Sequence, residues 1–173
     1  MKRVLFAIVS FAVLNAPALA DETWLSFRDP LGGFTVELPG TPTVTHTSSK
    51  SADGHDVNTA TFDVLRPNYE VTMVDTHGDG VQLDPGQAID AGATVFKTLV
   101  VQFVADSIVT IDGEVGREIV GIDKDGNRLD ERLFALNNHL YQVITVTPKD
   151  DDDSRSAVIA HFVASVRFTR HGT

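Results

Sequence analysis

Apolar and polar residues alternate along much of this chain, which is the period of half-buried β-strands. In the first half, the pattern predicts four strands, over 23–27, 34–38, 57–65 and 69–76. The last two are separated only by Arg66-Pro67-Asn68, so they are expected to form a hairpin. The segment 41–56 is rich in Thr, Ser, Asp and Gly without an apolar rhythm, and it is predicted to be a loop.

Two segments have helical periodicity instead. A helix is predicted to begin at Asp84, because Asp84 can cap it, Pro85 suits the first helical position and Gln87 completes a capping box. Apolar residues then recur at spacings of three and four, which predicts a stripe that faces a sheet and a helix end near Asp106. This stripe consists of Ile89, Ala93, Phe96, Val100 and Phe103. A second amphipathic helix is predicted over 154–166.

Further strands are predicted between and after these points, over 107–111, 116–122, 129–136 and 143–146. A two-residue turn at Asp125-Gly126 would set Asp123 opposite Arg128. A turn at Asn137-Asn138 would place Phe134 across from Tyr141. The segment 143–146 is nearly continuous apolar sequence, so it is expected to be a central strand covered on both faces.

The resulting order is strands, helix, strands, helix. Most connections between strands are too short for parallel crossovers. The predicted fold is therefore α+β, with a mostly antiparallel sheet of about six to eight strands packed with two amphipathic helices. A single domain over 21–173 is expected to carry it.

The first twenty residues have the layout of a secretory signal peptide. Lys2 and Arg3 precede an apolar run over 4–14, and Ala18 and Ala20 provide the small residues of a cleavage site. We predict cleavage after Ala20 and a periplasmic or secreted protein. The run is shorter than the roughly 20 residues that span a bilayer, and no integral membrane segment is expected in the mature chain.

The amino-acid composition excludes several classes of function. The chain has no cysteine, which excludes disulfides, cysteine nucleophiles and a lipid anchor on cysteine. Its net charge is −10, and it becomes −12 without Lys2 and Arg3. Such a charge opposes binding to nucleic acid and is compatible with cations or a basic protein as partners. An envelope protein is the expected kind of partner. The oligomeric state stays open.

Asp75, His77 and Asp79 alternate at the end of a predicted strand. Period-2 spacing would put the three side chains on one face, where two carboxylates and an imidazole could bind Zn²⁺ or Mn²⁺. Gly78 and Gly80 favour the alternative that the strand has already become a turn.

Other motifs predict no catalytic residue and no cofactor. The run 123–127 begins like a calcium loop, but Gly126 is its fourth residue where that loop needs glycine sixth, so a hairpin turn is predicted. The chain has no Walker loop, dinucleotide fingerprint or Gly-x-Ser-x-Gly elbow. The six histidines are scattered, at positions 46, 55, 77, 139, 161 and 171.

Three short motifs resemble those of small exported bacterial domains of the PsbP-like type, which are similar to the extrinsic oxygen-evolving-complex protein of photosystem II. They are the strand within 32–40, the late strand 140–143, and Phe162-x-x-Ser165-x-x-Phe168. The resemblance implies an antiparallel sheet sandwiched by helices and an accessory role. No functional residue follows from it, because the matching positions are apolar or turn residues.

These observations lead to one main hypothesis and two alternatives. The main hypothesis is an exported, non-catalytic periplasmic accessory or protein-binding module. The alternatives are a metal-dependent or carboxylate-based hydrolase of an envelope substrate, and a carrier that holds a small apolar ligand between helix and sheet.

Overall fold

The computed structural model describes residues 23–51, 53–80, 82–148 and 153–169. The predicted signal peptide and its cleavage site lie outside these residues. In the described ranges the chain forms the following elements: β1 (Leu25–Arg28), β2 (Phe34–Leu38), β3 (Thr43–Lys50), β4 (Asp56–Arg66), β5 (Tyr69–Gly78), α1 (Pro85–Leu99), β6 (Gln102–Ile111), β7 (Glu114–Ile122), β8 (Arg128–Leu136), β9 (His139–Thr147), α2 (Asp153–Ser165) and β10 (Arg167–Phe168).

The strands form two antiparallel sheets. The large sheet has seven strands in the order β3-β4-β5-β9-β8-β7-β6, and the small sheet has three in the order β1-β2-β10. This is the predicted α+β class, with a main sheet inside the predicted size range. β9 is the central strand of the seven, and its Val143 is fully buried, as the apolar run predicted.

Each face of the large sheet has its own hydrophobic core. On one face, α1 packs Phe96 against Ile119 and Leu133 of β7 and β8. Gly92 permits this close approach, because a Cβ atom there would lie 2.7 Å from Cδ2 of Leu133. On the other face, α2 and the small sheet pack a core that includes Phe34, Phe62, Phe134, Tyr141 and Phe162.

The predicted loop over 41–56 is wrong in part, because Thr43–Lys50 forms strand β3. Every residue of β3 is exposed, and the strand lies at an edge of the sheet. Alternation of apolar and polar residues marks strands that bury one face, and β3 buries neither face. Its four β-branched residues, Thr43, Val44, Thr45 and Thr47, suit an extended backbone without an apolar rhythm.

The first helix begins as predicted and ends earlier than predicted. Asp84 caps α1, with its side chain accepting a 2.8 Å hydrogen bond from the backbone N–H of Gln87. The helix ends at Leu99, and Val100 already has extended backbone angles. Phe103 therefore belongs to β6. The apolar stripe continued past the helix end because the β-branched pair at Val100-Val101 also fits a strand.

The two predicted hairpin registers have different outcomes. Phe134 does lie across from Tyr141. Asp123 does not oppose Arg128, because Ile122 is the partner of Arg128 and the connecting loop has five residues. Asp123 instead accepts hydrogen bonds from the backbone N–H groups of Asp125 and Asn127, each 2.8 Å long, and so closes that loop.

Candidate metal-binding site

Antiparallel pairing of β5 with β9 brings distant residues together at one end of the large sheet. His77 is the register partner of His139, and Asp75 is the partner of Tyr141. Alternate residues of a strand share a face, so all four side chains lie on the face that carries α2 and the small sheet. Asp75, His77 and His139 offer ligand atoms that all lie within 4.8 Å of one another.

The three side chains differ in depth. Asp75 is completely buried, whereas the side chains of His77 and His139 are 20% and 23% exposed. The two imidazole rings lie side by side, with centroids 4.7 Å apart. The carboxylate thus forms the floor of the site, and the imidazoles form a rim that solvent reaches.

Only some of the polar atoms in this cluster have a hydrogen-bond partner among the described residues. Nδ1 of His139 lies 2.7 Å from Oδ1 of Asp75, at hydrogen-bond distance. Nδ1 of His77 lies 3.8 Å from the same oxygen, which is too far for a hydrogen bond. Oδ2 of Asp75 and Nδ1 of His77 are buried and have no partner among the described residues. A buried polar group without a partner costs about 1–3 kcal/mol.

The contact with Asp75 alters the electrostatics of its neighbours. The hydrogen bond to Asp75 raises the pKa of the His139 imidazole above its ordinary value, against the opposing effect of burial. Burial is the main cause that raises the pKa of the Tyr141 hydroxyl, and Asp75 and Asp29 add to it. Asp75 is therefore the dominant negative charge that acts on these two groups.

Packing around Tyr141 holds the cluster from below. The His139 and Tyr141 rings are stacked, with centroids 5.5 Å apart and planes 7° apart. Phe168 of β10 packs on Tyr141 at a centroid distance of 5.4 Å. Beside the Tyr141 hydroxyl, the backbone N–H of Gly33 donates a 2.9 Å hydrogen bond to the buried Asp29. The small sheet therefore fixes the β9 side of the site.

The geometry fits a small divalent ion. Zinc binds histidine nitrogen and carboxylate oxygen at about 2.0–2.2 Å, so two tetrahedral ligands lie about 3.4 Å apart. The distances from Oδ1 of Asp75 to the two Nδ1 atoms, 2.7 and 3.8 Å, bracket that value. Small shifts of two partly exposed rings would complete three ligands and leave a fourth position open to solvent.

Of the three predicted ligands, the structure brings Asp75 and His77 together but not Asp79. β5 ends at Gly78, so Asp79 lies beyond the strand, where its N–H donates to the carbonyl of Asp56 and its side chain accepts from Asn58. The glycine-based turn interpretation is correct for this residue. The third residue of the cluster is His139 instead.

Sequence reasoning placed His139 beside a turn and did not connect it with β5. The missing information was that β9 pairs with β5, a contact between strands that α1 and three other strands separate in the chain.

Two of the other candidate residues, Asp123 and His161, have structural partners. The Asp123 carboxylate is engaged within its own loop, since it also accepts from the side chain of Asn127. His161 contacts Glu37 and lies against the Trp24 ring. His46 and His55 are exposed, and His171 lies outside the described residues.

A known protein structure has the same architecture as this chain. The chain matches no protein-family profile and no curated protein sequence. It is similar in structure to cyanobacterial PsbP (CyanoP) from Synechocystis sp. PCC 6803, with a TM-score of 0.54 and 10% sequence identity over 90% of this chain and 98% of that one. The fold is therefore PsbP-like, as the short motifs suggested. In the described ranges, no helix combines the length and apolar character needed to cross a membrane.

Proposed function

We propose that this protein is an exported, non-catalytic accessory module of the cell envelope that binds a divalent transition-metal ion. The signal-peptide pattern of residues 1–20 supports export. The PsbP-like fold supports an accessory role. The metal-binding part of the proposal depends on one observation. The buried Asp75 carboxylate, one oxygen of which has no partner among the residues that the structure describes, lies beneath two partly exposed imidazoles.

Zinc is the ion that this donor set suits best. Two imidazoles and one carboxylate are borderline ligands, and Zn²⁺ accepts them in tetrahedral sites. Nδ1 of His77, which has no hydrogen-bond partner among the described residues, would gain a partner when the ion binds, and this favours the loaded state. The acidic net charge of −10 adds a favourable long-range field for a cation.

Isothermal titration with Zn²⁺ tests the metal site. We expect one ion per chain for the unaltered protein and at least a tenfold weaker affinity for His139→Ala and His77→Ala. His46→Ala is the matched control, because His46 is exposed on edge strand β3 and should not affect binding. Asp79→Asn should also bind normally. An equal loss of zinc affinity in His46→Ala, or no zinc binding by the unaltered protein, would contradict the proposed site.

Cell fractionation tests the export and partner parts separately. The mature protein should be found outside the cytoplasm with Asp21 as its first residue. Crosslinking in cells followed by capture of the tagged protein should then retain one dominant envelope protein. A cytoplasmic protein that retains Met1 would contradict export, and capture of no partner by a folded, abundant bait would contradict the accessory role.

A metal-dependent hydrolase is a second candidate because the same three ligands leave a coordination position for water. A bound Zn²⁺ lowers the pKa of such a water and produces a hydroxide nucleophile. Zinc-dependent cleavage of ester or peptide substrates that is lost in Asp75→Asn would favour this candidate over the accessory module.

A further inference from the structure

A cavity separates α2 from the large sheet, and it shares no residue with the Asp75–His77–His139 cluster. Its volume is about 490 Å³. The wall from the helix consists of Ile159, Ala160, Val163 and Ala164. The opposite wall comes from β6, β8, β9 and the turn after β6.

Three arginines line this cavity, although the chain as a whole is strongly acidic. Arg128 and Arg132 lie on the same face of β8, four residues apart, and Arg167 is the first residue of β10. Arg167 is held by hydrogen bonds from its Nη1 to the carbonyls of Ala164 and Val166, 2.6 and 2.7 Å long, where α2 ends. The sequence has nine arginines, so a third of them meet at one cavity.

Arg132 is the deepest of the three, with only 13% of its side chain exposed. Its Nη2 lies 2.6 Å from Glu118 on β7, the register partner of Arg132. Its Nη1 is buried and has no partner among the described residues. An acceptor brought to this guanidinium by a ligand would satisfy a donor that no described residue pairs with.

Carboxylates limit the charge that the cavity can accept. Asp130 lies 3.1 Å from Arg128, and Asp112 lies 3.9 Å from Arg167. The lining side chains therefore sum to one positive charge, from three arginines and two aspartates, and Glu118, which pairs with Arg132 from outside the lining, offsets part of it. A monoanion matches this charge, whereas a dianion such as a phosphate monoester would be repelled by the two aspartates.

The helix wall gives the cavity an apolar side. Ile159 and Val163 are partly buried and pack on the core beneath the helix, and the buried Ile111 also lines the cavity. Cavities that combine an apolar wall with a few polar groups hold ligands of the same mixed character. The ligand that fits has an apolar chain for the helix wall and one anionic end for the arginines.

From this arrangement we infer that the cavity between α2 and β8 binds a small carboxylate with an aliphatic chain, such as a medium-chain fatty acid. The carboxylate lies against Arg132, and the chain lies along Ile159 and Val163. This inference goes beyond the proposed metal-binding module and is independent of it.

Calorimetric titration with sodium octanoate tests the inference. The unaltered protein should bind one octanoate per chain, and octan-1-ol and n-octyl phosphate should each bind at least tenfold more weakly. Arg132→Gln should weaken octanoate binding at least tenfold. Ala160→Phe, which leaves all the charges in place and fills the cavity from an exposed helix position, should do the same.

Arg28→Gln is the control for charge, since Arg28 is exposed on β1 and lies away from the cavity. It should bind octanoate normally. Circular dichroism melting should show that Ala160→Phe is folded, so its loss of binding cannot come from unfolding. No saturable octanoate binding by the unaltered protein, unchanged binding in Ala160→Phe, or tighter binding of the alcohol or the phosphate would each overturn the assignment.

Discussion

Oδ1 of Asp75 lies 2.7 Å from Nδ1 of His139, across two paired strands whose residues are 64 positions apart in the chain. The contact is diagonal, since the direct register partner of Asp75 is Tyr141. It holds one imidazole against a completely buried carboxylate, whose second oxygen has no partner in the described part of the chain. This pair supplies two ligands of the proposed metal site, and His77 supplies the third.

Zinc should stabilise the unaltered protein and should not stabilise Asp75→Asn. An ion at 100 times its dissociation constant adds about 2.7 kcal/mol to the free energy of unfolding. For a domain of this size that corresponds to a rise in the melting temperature of roughly 5–10 °C. Asp75→Asn removes the central ligand while preserving side-chain size. Differential scanning calorimetry with zinc or with EDTA measures both proteins.

The Asp79→Asn variant provides the comparison for this experiment, because Asp79 is an exposed carboxylate beyond the end of β5. It should gain the full stabilisation by zinc. A zinc-dependent rise of equal size in Asp75→Asn would show that the ion binds elsewhere.

Gly33→Ala should destabilise the fold through Tyr141. A Cβ atom at position 33 would overlap the Tyr141 hydroxyl, and it would also approach Oδ2 of Asp29 to 3.2 Å. Tyr141 is 1% exposed and packed between His139 and Phe168, so it has little room to move. Overpacking of this kind costs about 1–3 kcal/mol. Urea unfolding measures this loss of stability, and the m-value should be the same for both proteins.

Gly86→Ala is the matched substitution with the opposite expected sign. Gly86 lies in the first turn of α1, and a Cβ atom there would meet only Oδ1 of Asp84, at an ordinary 3.4 Å. Alanine should stabilise the protein by about 0.4–1 kcal/mol, because it restricts the unfolded chain. If both alanine variants lost stability equally, steric overlap with Tyr141 would not be the cause.

Stability should fall as the pH rises from about 4.5 to 7, partly because of Glu131. Burial raises the pKa of this carboxyl from 4.5 to about 7 in the folded protein, and the hydrogen bond from Gln142 opposes the rise. The folded state therefore binds more protons than the unfolded state between these two values, and stability decreases across that window. Glu131→Gln should be more stable than the unaltered protein at pH 8, by about 3 kcal/mol at most.

Urea unfolding at several pH values between 4.5 and 8 measures this dependence. Part of the slope should persist in Glu131→Gln, because burial and the neighbouring Asp63 raise the pKa of Glu70 to about 7 as well. Asp53→Asn, which changes an exposed carboxylate in the β3–β4 turn, should leave the slope unchanged. A slope in Glu131→Gln equal to that of the unaltered protein would contradict the assignment to Glu131.

Asp84→Ala should cost about 1 kcal/mol of stability, because it removes the acceptor for the N–H of Gln87 at the start of α1. Asp84→Asn should recover most of that loss, since asparagine caps helices almost as well. Thermal unfolding of the two variants measures the difference. Equal melting temperatures for alanine and asparagine at this position would show that the cap contributes little.

Local signals in the sequence were sufficient for much of the fold. Capping by Asp84 and the turn at Asn137-Asn138 depend on neighbours in the chain, so the residue types alone identified them. β3 escaped recognition because it buries neither face, and only burial of one face imposes an alternating pattern. The end of α1 was placed too late because β-branched residues after Leu99 continue the apolar spacing of the helix into a strand.

The candidate site could be predicted only where its residues share a strand. Asp75 and His77 are two residues apart on β5, and the period of the strand placed them on one face. His139 joins them through pairing between β5 and β9, which depends on the order of strands in the sheet. A single sequence carries no local signal for that order. Asp79 was included because the spacing continued past Gly78, where the strand ends.

The most direct test of the metal site is the anomalous diffraction of a zinc-soaked crystal, recorded at the zinc absorption edge. We expect a strong peak between Asp75, His77 and His139, about 2.0–2.2 Å from one oxygen and two nitrogens. The same crystal form of Asp75→Asn should lack this peak. A peak at His46, His55 or His161 with nothing between Asp75 and the two imidazoles would contradict the account.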